Sequence, residues 1–108
     1  MLALRRRPDD TQVVERYAVY ILASRRNGTL YIGVTSALPQ RIAQHKARAV
    51  RGFTQQYGVT ILVYVERYAN VYDAIAREKQ LKGWNRAWKI RLIEAGNPNW
   101  DELDPTAC

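Results

Sequence analysis

The sequence predicts a small α+β domain: a three-stranded, mostly antiparallel sheet flanked by helices, in the order ββαβαα. Three observations carry this. Tyr17–Ala23 is apolar at every position, which fits a strand buried on both faces. Asn27-Gly28 follows, the strongest short hairpin signal, so the second strand returns antiparallel to the first. Beyond the hairpin, apolar residues recur at helical spacing after Thr35-Ser36, Asn70 and Asn85, with one more strand-like run between the first two.

Residues 1–16 are polar, include the run Arg5-Arg6-Arg7 and have no clean period, so they read as a flexible N-terminal arm. Residues 29–34 form the returning strand, with Gly33 leaving room for another group to approach the backbone. A two-residue turn at Asn27-Gly28 pairs Ser24 with Tyr31. A wider loop centred on Arg25-Arg26 pairs Tyr20 with Tyr31. Side chains alternate with period two, so either register puts Tyr20, Leu22 and Tyr31 on one face.

Thr35 or Ser36 caps a helix that has Pro39 in its first turn and runs to about Val50. Leu38, Ile42 and Ala49 share its inward face, and Arg41, His45 and Arg48 share the adjoining stripe. Residues 51–58 form a loop, and residues 60–67 are a β-branched and aromatic third strand. Asn70 caps the next helix, with Asp73 three residues on as an imperfect capping box. Its inward stripe is Val71, Ala74, Ile75, Leu81 and the stem of Lys82, with Glu78 in the middle, and Gly83 ends it. Asn85 caps a last helix whose inward face is Trp84, Trp88, Leu92 and Ala95, stopped by Gly96-Asn97-Pro98. The division expected is an arm over 1–16, a domain over 17–97 and an acidic tail over 98–108.

At 108 residues the chain builds one modest core. Its one cysteine, Cys108, excludes an internal disulfide framework and fits a reducing compartment, so the expected location is cytoplasmic. The basic start lacks a following apolar stretch, which argues against a signal peptide, and no stretch is long enough to span a membrane. The net charge is +7, but residues 17–99 alone carry +9 while residues 100–108 carry −3. A domain this basic fits nucleic acid as its partner, because neutralising phosphates releases counterions.

The side chains that carry chemistry are few. A carboxylate within an apolar stripe must be paired or metal-bound, so Glu78 is either half of a structural ion pair or a ligand for a hard cation such as Mg²⁺. Tyr20 and Tyr31 are either core aromatics or a pair of hydroxyls able to pass a proton. Arg41 offers a fork of donors suited to phosphate, its alternative being a surface ion pair. His45, the only histidine, can orient a tyrosine, act as acid or base, or be a satisfied helix residue. One histidine and one cysteine make no zinc site, and residues 17–99 hold only Glu66, Asp73, Glu78 and Glu94 as acids. A two-metal nuclease centre lacks its carboxylates here.

The order Tyr-x10-Tyr-Ile-Gly-x7-Arg-x3-His, with a later helix glutamate, resembles the GIY-YIG endonuclease domain over roughly residues 16–96. Ala18-Val19-Tyr20 corresponds to the family's first triplet and Tyr31-Ile32-Gly33 to its second. Ala18 stands where the family has glycine. The overall look is nearest the small stand-alone bacterial members, related to the excision-repair nuclease module and to structure-specific junction nucleases. The resemblance implies phosphodiester hydrolysis with Mg²⁺ or Mn²⁺. It places Arg41 on the scissile phosphate, the family's frequent histidine on His45, Glu78 on the metal and either tyrosine as proton acceptor. The family's late asparagine falls on Asn85, with Asn97 as the alternative. Without an added binding domain, the basic surface does the gripping: Arg25, Arg26, Lys46, Arg48, Lys79, Lys82, Arg86 and Lys89. Phosphate contacts position without specifying sequence. The expected partner is therefore DNA, branched or single-stranded, bound by a monomer or weak dimer, with a protein partner for targeting. The other reading is a non-cleaving nucleic-acid-binding module of the same fold.

Overall fold

A computed structural model describes residues 14–47 and 58–107. The expected arm up to residue 13, Arg48 and the loop over 51–57 lie outside the described residues. The elements are β1 (Tyr17–Ala23), β2 (Leu30–Thr35), α1 (Leu38–Lys46), β3 (Ile61–Tyr68), α2 (Val71–Gly83) and α3 (Arg86–Gly96). The strand order is β2-β1-β3, and both pairings are antiparallel.

β1 is central, so its apolar run is explained. Ala18 to Ala23 are all buried, and alternate residues enter two cores. Val19, Ile21 and Ala23 pack with Ala74 and Leu81 of α2, Ile93 of α3 and Trp100. Ala18, Tyr20 and Leu22 pack with Leu38 and Ile42 of α1. The helices thus cover opposite faces, as a doubly buried strand requires. A bulge in the β1–β3 pairing follows Ile21, which faces Tyr64, while Leu22 faces Leu62. The extra residue puts Leu62 and Val65 on Tyr20's face although they are three positions apart.

The β1–β2 turn follows neither expected register. Leu22 faces Tyr31 and Tyr20 faces Gly33. Ser24 N–H donates to the Thr29 carbonyl at 3.0 Å, closing a loop of Arg25, Arg26, Asn27 and Gly28. Asn27 takes the positive φ (57°), and a Cβ on Gly28 would lie 2.3 Å from Ser24 Oγ. Asn-Gly thus marks the turn, but with Arg25 and Arg26 inside it. The face parity is unchanged, because all three registers differ by even steps.

The cap of α1 is Ala37, with no side-chain bond; Thr35 Oγ1 instead accepts the Ala37 N–H at 3.0 Å. The C-cap is Ala47, and the expected end at Val50 lies outside the described residues. Asn70 and Asn85 cap α2 and α3 through their side-chain oxygens, as expected. The inward face of α3 keeps only part of the expected stripe, since Trp84 and Leu92 pack on the core but Trp88 and Ala95 do not. Ile93 is buried and Ile90 and Leu92 pack beside it, whereas Trp88 is 49 % exposed and Ala95 lies outside. Two apolar stripes overlap on this helix, and the aliphatic one faces the sheet. On α2, Lys82 is exposed rather than laid inward.

The expected acidic tail packs onto the domain. Trp100 is buried and its indole N–H donates to Glu94, while Leu103 N–H donates to the Leu62 carbonyl at 2.8 Å. Buried Asn97 anchors the segment, donating Nδ2 to the Val63 and Asp101 carbonyls and accepting the Asp101 N–H. Lys46 pairs with Glu102. Trp100→Ala should therefore lower unfolding free energy by about 3–5 kcal/mol, read from urea denaturation midpoints. An unchanged midpoint would mean that the segment adds nothing to the core.

Candidate active site

The site lies at the β2 edge of the sheet, where strands, α1 and α2 meet. Tyr20 enters from β1 and is 1 % exposed. Its ring lies across Gly33 on the facing strand: a Cβ there would be 2.5 Å from Tyr20 Oη and 2.6 Å from Cζ. Gly33 is thus the floor that lets the Tyr20 ring lie flat. Tyr31, two residues earlier on β2, comes up on the same side, with ring centroids 6.3 Å apart.

His45 reaches both tyrosines from the last turn of α1. It is buried, its ring 6.0 Å from that of Tyr20 and 5.3 Å from that of Tyr31. Tyr20 Oη lies 3.1 Å from His45 Nε2 and donates to it when that nitrogen is unprotonated. Burial pushes the histidine below its ordinary pKa, and the Arg41 charge pushes the same way. Burial raises the Tyr20 phenol far above its ordinary value; Tyr31 and Glu78 add to this and Arg41 opposes it. Tyr20 is therefore a protonated phenol beside a neutral imidazole near neutral pH. Arg41 on α1 and Glu78 on α2 are both near enough for their charges to act on the Tyr20 hydroxyl.

Glu78 sits at the margin of α2's apolar stripe, one turn after buried Ala74. Its side chain is 15 % exposed, and Lys82 Nζ lies 2.9 Å from Oε2. The i,i+4 spacing was the sequence signal for this pair. Glu78 offers hard oxygen donors, and the described residues contain no cluster of three or more His, Cys, Asp or Glu. Such a donor set fits a cation that keeps most of its water and is completed by substrate phosphate, the habit of Mg²⁺.

The other basic residues are dispersed. Lys82 and Lys89 line an open cleft of about 330 Å³ with Leu30, Tyr31 and Ile32. Sequence reasoning named these lysines but missed the cleft, because only tertiary packing brings α3 beside β2. Arg25 and Arg26 are exposed on the turn and Lys79 is exposed on α2. Arg86 Nη2 donates to the Asn27 and Gly28 carbonyls, both at 2.6 Å, so it fastens α3 to that turn. Asn85 is exposed and serves as the α3 cap, apart from the tyrosine cluster's hydrogen bonds. Asn97 is occupied in the anchor described above.

The tyrosine pair and the histidine thus gather on one face of a ββαβαα sheet. Residues 16–91 match the GIY-YIG catalytic domain, and the chain belongs to this family of nucleases. Within it, the chain is similar to small proteins named UPF0213. It is 33% identical over 79 residues to one from Staphylococcus haemolyticus, covering 73% of this chain and 95% of the relative. It is 36% identical over 75 residues to one from Natronomonas pharaonis, covering 69% and 87%. The fold matches the solution structure of a UPF0213 protein from Bacillus halodurans with a TM-score of 0.51 and 24% identity, over 80% of this chain and 90% of that one.

Gly33→Ala should displace Tyr20 and destabilise the domain by about 1–3 kcal/mol in thermal melts, the usual range for overpacking. Stability should also fall in acid. The folded chain holds His45 below its ordinary pKa of 6.5, so the unfolded chain takes the proton more readily. His45's contribution is complete above pH 6.5 and disappears as pH falls through the folded value. His45→Gln should flatten this part of the Tm–pH curve; a variant with the wild-type slope would assign it to another group.

Proposed function

We propose that this domain is a divalent-metal-dependent DNA endonuclease that hydrolyses phosphodiester bonds, selecting structure more than sequence. The carrying observation is the clustering of the Tyr20, Tyr31 and His45 rings, with Tyr20 hydrogen-bonded to His45 and the opposite charges of Arg41 and Glu78 acting on the Tyr20 hydroxyl.

Arg41 binds the scissile phosphate and stabilises the charge that builds on its oxygens. Glu78 would hold Mg²⁺ or Mn²⁺, which when bound supplies Lewis acidity toward a phosphate oxygen. Lys82 must then leave Glu78, and the cleft it lines with Lys89 offers it a backbone phosphate instead. As the water oxygen bonds to phosphorus, the bond from phosphorus to the leaving sugar oxygen breaks. The water proton passes to a tyrosine hydroxyl. At Tyr20 this works as a relay: Oη accepts that proton and gives its own to His45 Nε2. Burial raises the Tyr20 pKa, which favours this relay over a standing phenolate. Tyr31, on the edge strand beside the cleft, is the other acceptor. Solvent returns a proton to the leaving oxygen.

The grip is electrostatic. Arg25, Arg26, Lys46, Arg48, Lys79, Lys82 and Lys89 supply phosphate contacts, which give affinity with steep salt dependence and little base readout. Branched or single-stranded DNA is the substrate class we assign, and Asn85 is the weakest of the site assignments because its side chain already caps a helix.

The test is a nicking and flap-cleavage assay with Mg²⁺ and with Mn²⁺. Glu78→Ala and Tyr31→Phe should each lower the cleavage rate about 100-fold or more, while DNA binding persists. Equal activity in wild type and both variants would overturn the proposal. Salt-dependent binding without product under either metal would identify a non-cleaving module.

A further inference from the structure

α3 carries a second groove. It holds about 310 Å³ and is lined by Trp84, Trp88, Arg91 and Leu92. The indoles of Trp84 and Trp88 meet edge to face, with centroids 5.8 Å apart and planes at 88°. This arrangement fixes the rings and leaves Trp88 half exposed. From below, the Arg77 guanidinium lies 5.1 Å over the Trp84 ring. That guanidinium is already bound to the Glu66 carboxylate through Nε and Nη2, both at 2.9 Å, so it holds Trp84 in place. Arg91 is the one charged residue lining the groove, and it forms no ion pair among the described residues.

We propose that this groove is a stacking site for an unpaired base of single-stranded nucleic acid, with Arg91 taking that nucleotide's phosphate. The proposal rests on the nucleic-acid reading above and adds a binding site outside the catalytic cluster. Charge complementarity favours this occupant: Arg91 lines the groove, and residues 17–99 carry +9. Continuity favours it too. Lys89 lines the cleft beside Tyr31, and Trp88 is the preceding residue, about 100° around the same helix. A strand leaving the cleft past Lys89 crosses α3 directly onto Trp88. A flat, rigid, half-exposed ring beside a guanidinium suits a base, which offers a π-face whatever its identity. Duplex DNA keeps its bases stacked inside and has none to offer. The groove would therefore favour substrates with a single-stranded flank.

The experiment follows tryptophan emission of the full chain in EDTA, titrated with single-stranded oligo(dT), with a blunt duplex and with inorganic polyphosphate. Oligo(dT) should quench the emission saturably, and polyphosphate should not. Trp88→Ala should weaken oligo(dT) binding about 10-fold while changing duplex binding by less than about two-fold, and Trp88→Phe should restore most of the loss. An anisotropy titration with labelled oligo(dT) reads the variants' affinities independently of their own emission. Equal oligo(dT) affinity in wild type and Trp88→Ala would overturn the inference. So would a Trp88→Ala variant that changes sedimentation but not oligo(dT) binding, which would mark a protein-docking patch. If neither single strand nor duplex binds, the nucleic-acid reading falls as well; if both bind without regard to Trp88, only this site falls.

Discussion

The site depends on one close approach: the Tyr20 ring lying over the backbone of Gly33. Two facing positions on paired strands normally project side chains side by side. Here one has no side chain, and the other's ring occupies the vacated space. That flattening brings the hydroxyl to His45 and leaves the same side open for Tyr31. A bulkier residue at 33 would lift the ring and separate the phenol from the imidazole. Gly33 and Tyr20 thus behave as one structural unit, although thirteen positions separate them.

Two carboxylates on the fold show how environment divides structural from chemical roles. Glu66, on β3, accepts from the Tyr64 and Tyr68 hydroxyls and from Nε and Nη2 of Arg77. Burial pushes its carboxyl upward, but these donors outweigh that and hold it below the usual range. Nothing is left for it to bind. Glu78 is similarly shielded, but its partner among the described residues is a lysine whose side chain is 54 % exposed. An ion pair to so exposed a group is weak and easily exchanged. The strong network pins α2 to β3, and the weak pair leaves the carboxylate at the other side of α2 available.

Much of this was legible in the sequence, for identifiable reasons. An apolar run at every position can only be a central strand, and Asn-Gly marks a turn. Parity placed Tyr20 and Tyr31 together because period-two alternation survives any even change of register. Asn70 and Asn85 were readable as caps because their role is local. Other features were hidden. The inward face of α3 was misassigned in part because Trp88 and Ile93 are both apolar, and only the shape of the sheet chooses between them. The segment over 98–108 reads as a tail because acids dominate its charge; Trp100 and Leu103 and their distant partners pack it onto the domain. The cleft at Lys82 and Lys89 joins three elements, and no local pattern encodes it.

β1 is hydrogen-bonded to a neighbour on each side and buried on both faces, so Tyr20 sits where local opening is hardest. α1 is different: nine residues long, it is held to the sheet by three buried side chains, Leu38, Ile42 and His45. The half of the centre on β1 therefore lasts as long as the folded state itself. The half on α1, Arg41 and His45, can come and go on shorter timescales. In hydrogen exchange the β1 amides would report global unfolding, and those of α1 the more frequent loosening that disassembles the centre while the sheet stays intact.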